Sequence, residues 1–167
     1  MVHVQSFPPL GNTRATRLVL GTMPGKASLL ARQYYAHPRN AFWFIIEGLF
    51  GIPRQLPYRQ RVRELSKTGL AVWDVLAACT RGTSLDSDIV PDSCVPNDFN
   101  AFFARHRQIR TIYFNGGPAR ALFERHVGPA LMPQHQAIAR VTLPSTSPTH
   151  ARRSHADKLE AWRAIAG

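Results

Sequence analysis

A chain of 167 residues and 18.7 kDa, 44% hydrophobic and 10% aromatic, fits one domain with a proper core, leaves no room for a second, and is too apolar for a disordered tail. Its 21 Lys+Arg against 10 Asp+Glu give a net charge of +11, carried mostly by arginine; such a field attracts polyanions, although a GC-rich genome also favours arginine. The longest apolar run, 41–46, is too short to cross a bilayer, and Cys79 and Cys94 are too few and wrongly spaced for a cysteine-ligated cluster or zinc site.

The seven histidines show no paired ligand spacing, so neither a metal nor a cofactor is expected. Residues 1–10 contain no basic stretch followed by an apolar run, which makes the cytoplasm the expected address. Short β-branched runs alternating with longer helical segments predict an α/β fold with a parallel sheet covered on both faces. Arg17 to Leu20 reads as the first strand, ending in the turn Gly21-Thr22-Met23-Pro24-Gly25, and a helix starts near Ala27. After His37-Pro38 come a very apolar helix from Asn40 to Phe50 and a basic one from Pro57 to Ser66, with Pro57 in the first turn. Leu70 to Val75 reads as the second strand, and 81–92, rich in Ser, Asp and Gly, as a loop. Asn97 is expected to cap the helix that carries Phe102, Phe103 and His106.

The third strand, Arg110 to Phe114, runs into Asn115-Gly116-Gly117-Pro118, and a helix follows from Ala119 to His126. The last strand, Ala137 to Leu143, turns through Pro144-Ser145-Thr146-Ser147-Pro148-Thr149-His150 into a closing helix from Ser154 to Ile165. Leu159, Trp162 and Ile165 share one face of that helix. In a parallel sheet the turns after the first, third and last strands lie at the carboxyl edge, where open α/β folds bind their ligands. They are expected to meet in one cleft.

Taken alone, the Gly21 to Gly25 turn is only a turn able to bring backbone N–H groups close to an anion. Together with Gln33-Tyr34-Tyr35-Ala36-His37-Pro38-Arg39-Asn40-Ala41-Phe42-Trp43, with Asn115, and with Leu143-Pro144-Ser145-Thr146-Ser147-Pro148, it resembles the uracil-DNA glycosylase superfamily. Within that superfamily the set looks like the hypoxanthine-DNA glycosylases, sometimes called family six. The likeness covers nearly the whole chain. It implies a single domain over 1–167, a three-layer α/β/α sandwich around a mostly parallel four-stranded sheet. The implied reaction is hydrolysis of the N-glycosidic bond of a deaminated base, hypoxanthine first, which requires the nucleotide to leave the base stack. The substrate would be double- or single-stranded DNA carrying that base, the protein acting as a monomer away from membranes.

Residue by residue, the resemblance gives Phe42 the role of stacking on the extruded base, where residue type alone suggests a core phenylalanine. Tyr35 is a second wall of the pocket. Asn115 matches the strand-end asparagine that reads the base edge, though before Gly-Gly it is also a natural turn residue. Met23 lines the base pocket where many superfamily members carry Asp or Asn, so Asn40 inherits the task of holding the attacking water. Leu143 replaces the histidine of the uracil-specific enzymes. Gly25, Ser145, Ser147, Thr149, His150 and Arg152, with Arg153 beside it, are the expected phosphate and duplex contacts. Asp74 reads as a loop brace, having no evident partner to make it a base. Lys26, Lys67 and Lys158 fall in no recognised motif, which predicts a monofunctional enzyme. Three other readings stay open: a broader uracil or xanthine glycosylase, a DNA-binding member without chemistry, and a hydrolase of small phosphorylated metabolites.

Overall fold

The computed structural model describes residues 1–167. In chain order the elements are β1 (Val2–Gln5), β2 (Arg17–Gly21), α1 (Lys26–Ala31), α2 (Phe42–Phe50), α3 (Tyr58–Ser66), β3 (Leu70–Asp74), β4 (Leu76–Arg81) and β5 (Val95–Pro96). Then come α4 (Phe99–Arg105), β6 (Thr111–Asn115), α5 (Gly117–His126), α6 (Pro133–Gln136), β7 (Ala139–Leu143) and α7 (His155–Trp162), the last running into a 3-10 turn at Arg163–Ala166. No helix is long and apolar enough to cross a membrane.

The central sheet has the order β3-β2-β6-β7 with every pair parallel, as the alternating strand and helix segments predict. Its side chains sort by the two-residue period of a strand. Leu18, Leu20, Ala71, Trp73, Ile112 and Phe114 face one layer, where they pack against Phe99, Phe102 and Phe103 of α4 and Phe123 of α5. Val19, Leu70, Val72 and Tyr113 face the other, against Phe42, Trp43, Ile45 and Ile46 of α2 and Trp162 of α7. Burial on both faces explains why β2, β3 and β6 read as almost unbroken apolar runs. β7 is the edge strand, and its exposed Ala139, Val141 and Thr142 fit that place.

Local chemistry sets the helix ends. Ser154 and Asp157 form a reciprocal capping box at the start of α7, each side chain accepting from the other's backbone N–H. Asp98, not Asn97, caps α4 by accepting from Ala101 N at 3.0 Å. Asn97 instead donates to the carbonyl of Asp74 at 2.8 Å, so its amide ties the α4 approach to the end of β3. Pro57 likewise sits one residue earlier than expected, at the cap of α3, and the last strand starts at Ala139 because 133–136 takes a helical turn first.

A second sheet was not anticipated: β1, β4 and β5 pair antiparallel in the order β1-β4-β5. The cause is at Val75. Its N–H bonds the carbonyl of Gly21 at 2.8 Å and that of Leu76 bonds Thr22 at 3.2 Å, so the chain leaves the first sheet and begins β4 at once. Leu70 to Cys79 is apolar apart from Asp74, and strand period alone does not mark a change of sheet at Val75.

Trp162 is completely buried, meets the ring of Phe42 edge-on at 6.3 Å, and donates from Nε1 to Pro144 O at 2.8 Å. Trp162→Ala is expected to cost about 3–5 kcal/mol, and Trp162→Phe, which keeps most of the bulk but loses the hydrogen bond, about 1–3 kcal/mol, read as the shift in denaturant midpoint.

Candidate active site

Gly21, Asp74, Asn115 and Leu143 are the last residues of the four parallel strands, and all of them line one cavity of about 770 Å³ at the carboxyl edge of the sheet. That volume lies within the usual range, roughly 300–1,000 Å³, for pockets that enclose a small ligand. The turn 22–25, the segment carrying Tyr35 and Asn40, and the loop 144–150 form its walls. The expected convergence of three chain-distant turns is therefore present. Two further pieces join it: the end of β3 and the loop around Ser84 and Asp86.

The walls are held together at Thr146, a residue 1% exposed. Its N–H donates to Asn115 Oδ1 at 2.9 Å, its Oγ1 accepts from Asn115 Nδ2 at 2.9 Å, and its carbonyl accepts from Ala41 N at 3.0 Å. Asn115 thus lines the cavity with each end of its amide already engaged by the Ser-Pro loop, and only the second amide hydrogen and the remaining lone pairs are left unused by those two bonds. Gly116, at φ 96°, permits the contact, since a Cβ there would lie 3.0 Å from Ser145 Cβ. Asn40 is fixed in turn by accepting from Phe42 N on Oδ1 at 2.9 Å, which leaves its Nδ2 and one Oδ1 lone pair unused by that bond.

Phe42 does not face the cavity. It is completely buried, and Tyr35 covers its ring at 4.2 Å with an interplanar angle of 31°. The cause is the backbone at Tyr35, which takes the left-handed conformation at φ 55° and turns the ring inward at a cost of about 1–2 kcal/mol. Tyr35, expected as a secondary wall, lines the cavity together with Tyr34.

The floor holds a buried carboxyl. Asp74 is 3% exposed, its Oδ2 is enclosed without a hydrogen-bond partner, and burial pushes its carboxyl up to about 7. Asp86 adds to that rise and Arg81 opposes it. Its strand neighbour Gly21 makes room, because a Cβ there would come within 2.6 Å of Asp74 Oδ1 and 3.1 Å of the Tyr35 hydroxyl. That hydroxyl is also enclosed and makes no hydrogen bond of ordinary geometry; burial followed by the nearby Asp74 charge holds it well above the usual phenol range, against the opposing effect of the neighbouring Asn115 amide. Asp86 differs: Thr22 Oγ1 donates to it at 2.6 Å, which favours the charged form against the desolvation that raises it. Asp74 is therefore no loop brace. Arg81, 4% exposed, donates from one guanidinium nitrogen to Pro24 O, while its other terminal nitrogen has no partner.

Met23, 7% exposed, and Gly25 line the cavity, although the Lys26 N–H after Gly25 is already taken by Ser84 Oγ at 2.8 Å. Ser145, Ser147, Thr149 and His150 line it too. Ser147 Oγ lies 2.8 Å from Thr149 Oγ1, and Ser145 Oγ accepts from Ser147 N at 3.1 Å, so the loop arrives shaped by its own hydroxyls. Arg152 is exposed and outside the lining; its neighbour Arg153 lines the cavity, as do Arg39 and Lys26. Lys158 is 2% exposed and points its ammonium at Ser147 O, 3.3 Å away, bracing the loop from behind. No group of three or more His, Cys, Asp or Glu side chains is close enough to hold a metal.

A family profile described as the uracil DNA glycosylase superfamily matches residues 8–166. A hypoxanthine DNA glycosylase of Methanosarcina barkeri is 31% identical over 113 residues, spanning 67% of this chain and 70% of that protein. One from Methanosarcina acetivorans is 31% identical over 116 residues, spanning 69% and 72%. The solution NMR structure of a candidate uracil DNA glycosylase from Methanosarcina acetivorans superimposes with a TM-score of 0.79 at 26% identity, covering 99% of this chain and 100% of that one.

The raised carboxyl of Asp74 gives the site a stability signature. In the unfolded chain it releases its proton near pH 4, in the folded protein near 7, so between those values the folded state binds more protons and stability falls as pH rises. Asp74→Asn removes that burden. The variant is expected to be more stable than the parent at about pH 8, by on the order of a few kcal/mol, with the gap closing toward about pH 4 in thermal melts.

Proposed function

The chain belongs to the uracil DNA glycosylase superfamily, and on that footing we propose that it is a monofunctional DNA glycosylase that removes hypoxanthine from DNA and leaves an abasic site. The observation that carries this reading is the meeting of Asn40, the 21–25 turn and the Ser-Pro loop on one cavity roomy enough for a purine. The two curated relatives, both named as hypoxanthine DNA glycosylases, support the choice of lesion.

In this reading the damaged nucleotide swings out of the duplex and its base slides into the cavity against Tyr35, which Phe42 backs from the core. The C1′–N9 bond breaks with oxocarbenium character, and the bonding pair leaves with the base. Asn40 holds a water against the opposite face of C1′ with the amide atoms that the Phe42 N–H does not use. An amide takes no proton at neutral pH, so its contribution is position, and the proton of the adding water passes to solvent. Asn115, pinned to Thr146, offers the base edge its remaining donor and acceptor capacity in a fixed orientation. Ser145, Ser147, Thr149 and His150 grip the flanking phosphates, with Lys26, Arg39 and Arg153 along the mouth as countercharge and Arg152 further out on the duplex. Leu143 is buried and apolar and offers a uracil oxyanion nothing, which favours the purine over uracil. Lys26 lines the cavity only at its exposed mouth and falls in no recognised motif, so on this reading the abasic product is released uncleaved, by a protein acting as a monomer.

A duplex with a single deoxyinosine tests this directly: incubation followed by alkali should cut the strand at the lesion, and the strand should stay whole without alkali. Strands that survive alkali would overturn the reading. Asn40→Ala should lower the single-turnover rate by about 10²–10³-fold while duplex affinity, measured by fluorescence anisotropy, changes little. That affinity should fall steeply with added salt, and free nucleotides should not compete for it.

A further inference from the structure

Of the three lysines in the chain, Lys26 and Lys67 are exposed and Lys158 is 2% exposed. The buried ammonium makes a single hydrogen bond, to the Ser147 carbonyl at 3.3 Å, and that oxygen also accepts from His150 N at 3.0 Å. None of the four ion pairs includes Lys158, and the adjacent Asp157 spends its carboxylate on the capping box with Ser154. Burial alone acts on the ammonium, pulling its pKa below the ordinary lysine value with no carboxylate to offset it. The place is adverse on a second count, since Lys158 lies one turn from the amino end of α7, where the helix dipole disfavours a cation. An apolar side chain would pack behind the loop without burying a charge. A buried cation with no anion of its own is a site lacking its partner.

We propose that Lys158 is a DNA-binding residue that acts through the Ser-Pro loop, its charge being completed by a backbone phosphate of the substrate seated on the other side of that loop at Ser147 and Thr149. The proposal rests on the glycosylase reading, which puts a phosphate flanking the extruded nucleotide on this loop. Ser147 joins the two sides: its carbonyl holds the ammonium, while its hydroxyl, 2.8 Å from that of Thr149, belongs to the cavity wall. A charge enclosed by protein is screened far less than the exposed cations Arg39 and Arg153 at the mouth. It also loses its water when the chain folds, not when DNA binds, so its attraction for phosphate comes with no further ordering of a long side chain.

The experiment measures affinity by fluorescence anisotropy for a duplex carrying a tetrahydrofuran analogue of the abasic product, with the parent, Lys158→Met and Lys67→Met. Lys67, exposed and paired with Glu64 before β3, removes the same charge at the opposite edge of the sheet. Lys158→Met should melt no lower than the parent, yet bind about tenfold more weakly near 50 mM salt, with the slope of log affinity against log salt shallower by about 1. Lys67→Met should bind within about twofold of the parent. On a deoxyinosine duplex the loss in Lys158→Met should appear in the protein concentration that half-saturates the single-turnover rate, the rate at saturation staying within about threefold.

An unchanged affinity and salt slope in Lys158→Met overturns the proposal, as does a lower melting temperature with a loss of affinity that salt does not alter, which is the mark of a brace alone. Should Lys158→Met fail to fold, nitrogen NMR of the lysine-labelled parent decides, because only three side-chain signals are present. The one that titrates lowest should titrate higher once the abasic duplex is bound, and a midpoint that DNA does not move overturns the role of Lys158. Either of these failures in a parent that excises hypoxanthine leaves the glycosylase reading intact. A parent that neither excises hypoxanthine nor binds the duplex removes both.

Discussion

Three hydrogen bonds at Thr146 make the cavity a single object. The strand-end amide of Asn115, the backbone of Ala41 beside Asn40 and the Ser-Pro loop come from three parts of the chain that together span more than a hundred residues, and this one buried threonine joins them. Each bond is worth only about 0.5–1.5 kcal/mol net, but breaking one orphans a buried polar group on either side, which makes the assembly closer to all-or-none than its parts. The loop cannot shift without disturbing the end of β6, and the end of β6 cannot turn its amide without freeing the loop. The geometry of the cavity is thus set by the protein's own hydrogen bonds, which is what the proposed glycosylase role of positioning a water and a base requires.

The charges are sorted by depth. The cations near the cavity, Lys26, Arg39 and Arg153, sit at its exposed margin together with Asp86, while the carboxyl of Asp74 sits inside. A net charge of +11 attracts polyanions to the surface that carries this rim. The four ion pairs of the molecule all lie on exposed surfaces away from this arrangement and add little to stability.

Much of this was legible in the residues. Strand period and helical spacing are local, so the central sheet and its covering helices emerged with boundaries off by one or two positions. The motif-bearing turns could be placed because a parallel sheet sends them all to one edge. What escaped depends on tertiary placement. Thr146 has no signature as a buried anchor; it sits among serines and prolines and looks like one more loop residue. Asp74 was set aside for want of a partner in sequence, yet the lack of a partner in space is what singles it out. Phe42 was given the cavity because its helix motif resembles one that stacks on bases, but the left-handed turn at Tyr35 puts another ring in front of it. Positive φ at a tyrosine is not encoded in any short pattern. The second sheet was missed for a like reason, since a single bend at Val75 splits one apolar stretch between two sheets.

Helix α7 contributes no residue to the cavity lining, yet Trp162 and Lys158 hold the backs of Pro144 and Ser147. Every lining residue lies between Gly21 and Arg153, on the amino-terminal side of that helix. A growing polypeptide therefore carries the entire set of cavity side chains before the segment that steadies their final loop has been made. A chain that has not yet reached α7, though it already holds Asn40, Asp74 and Asn115, lacks the two braces behind the loop that closes the cavity.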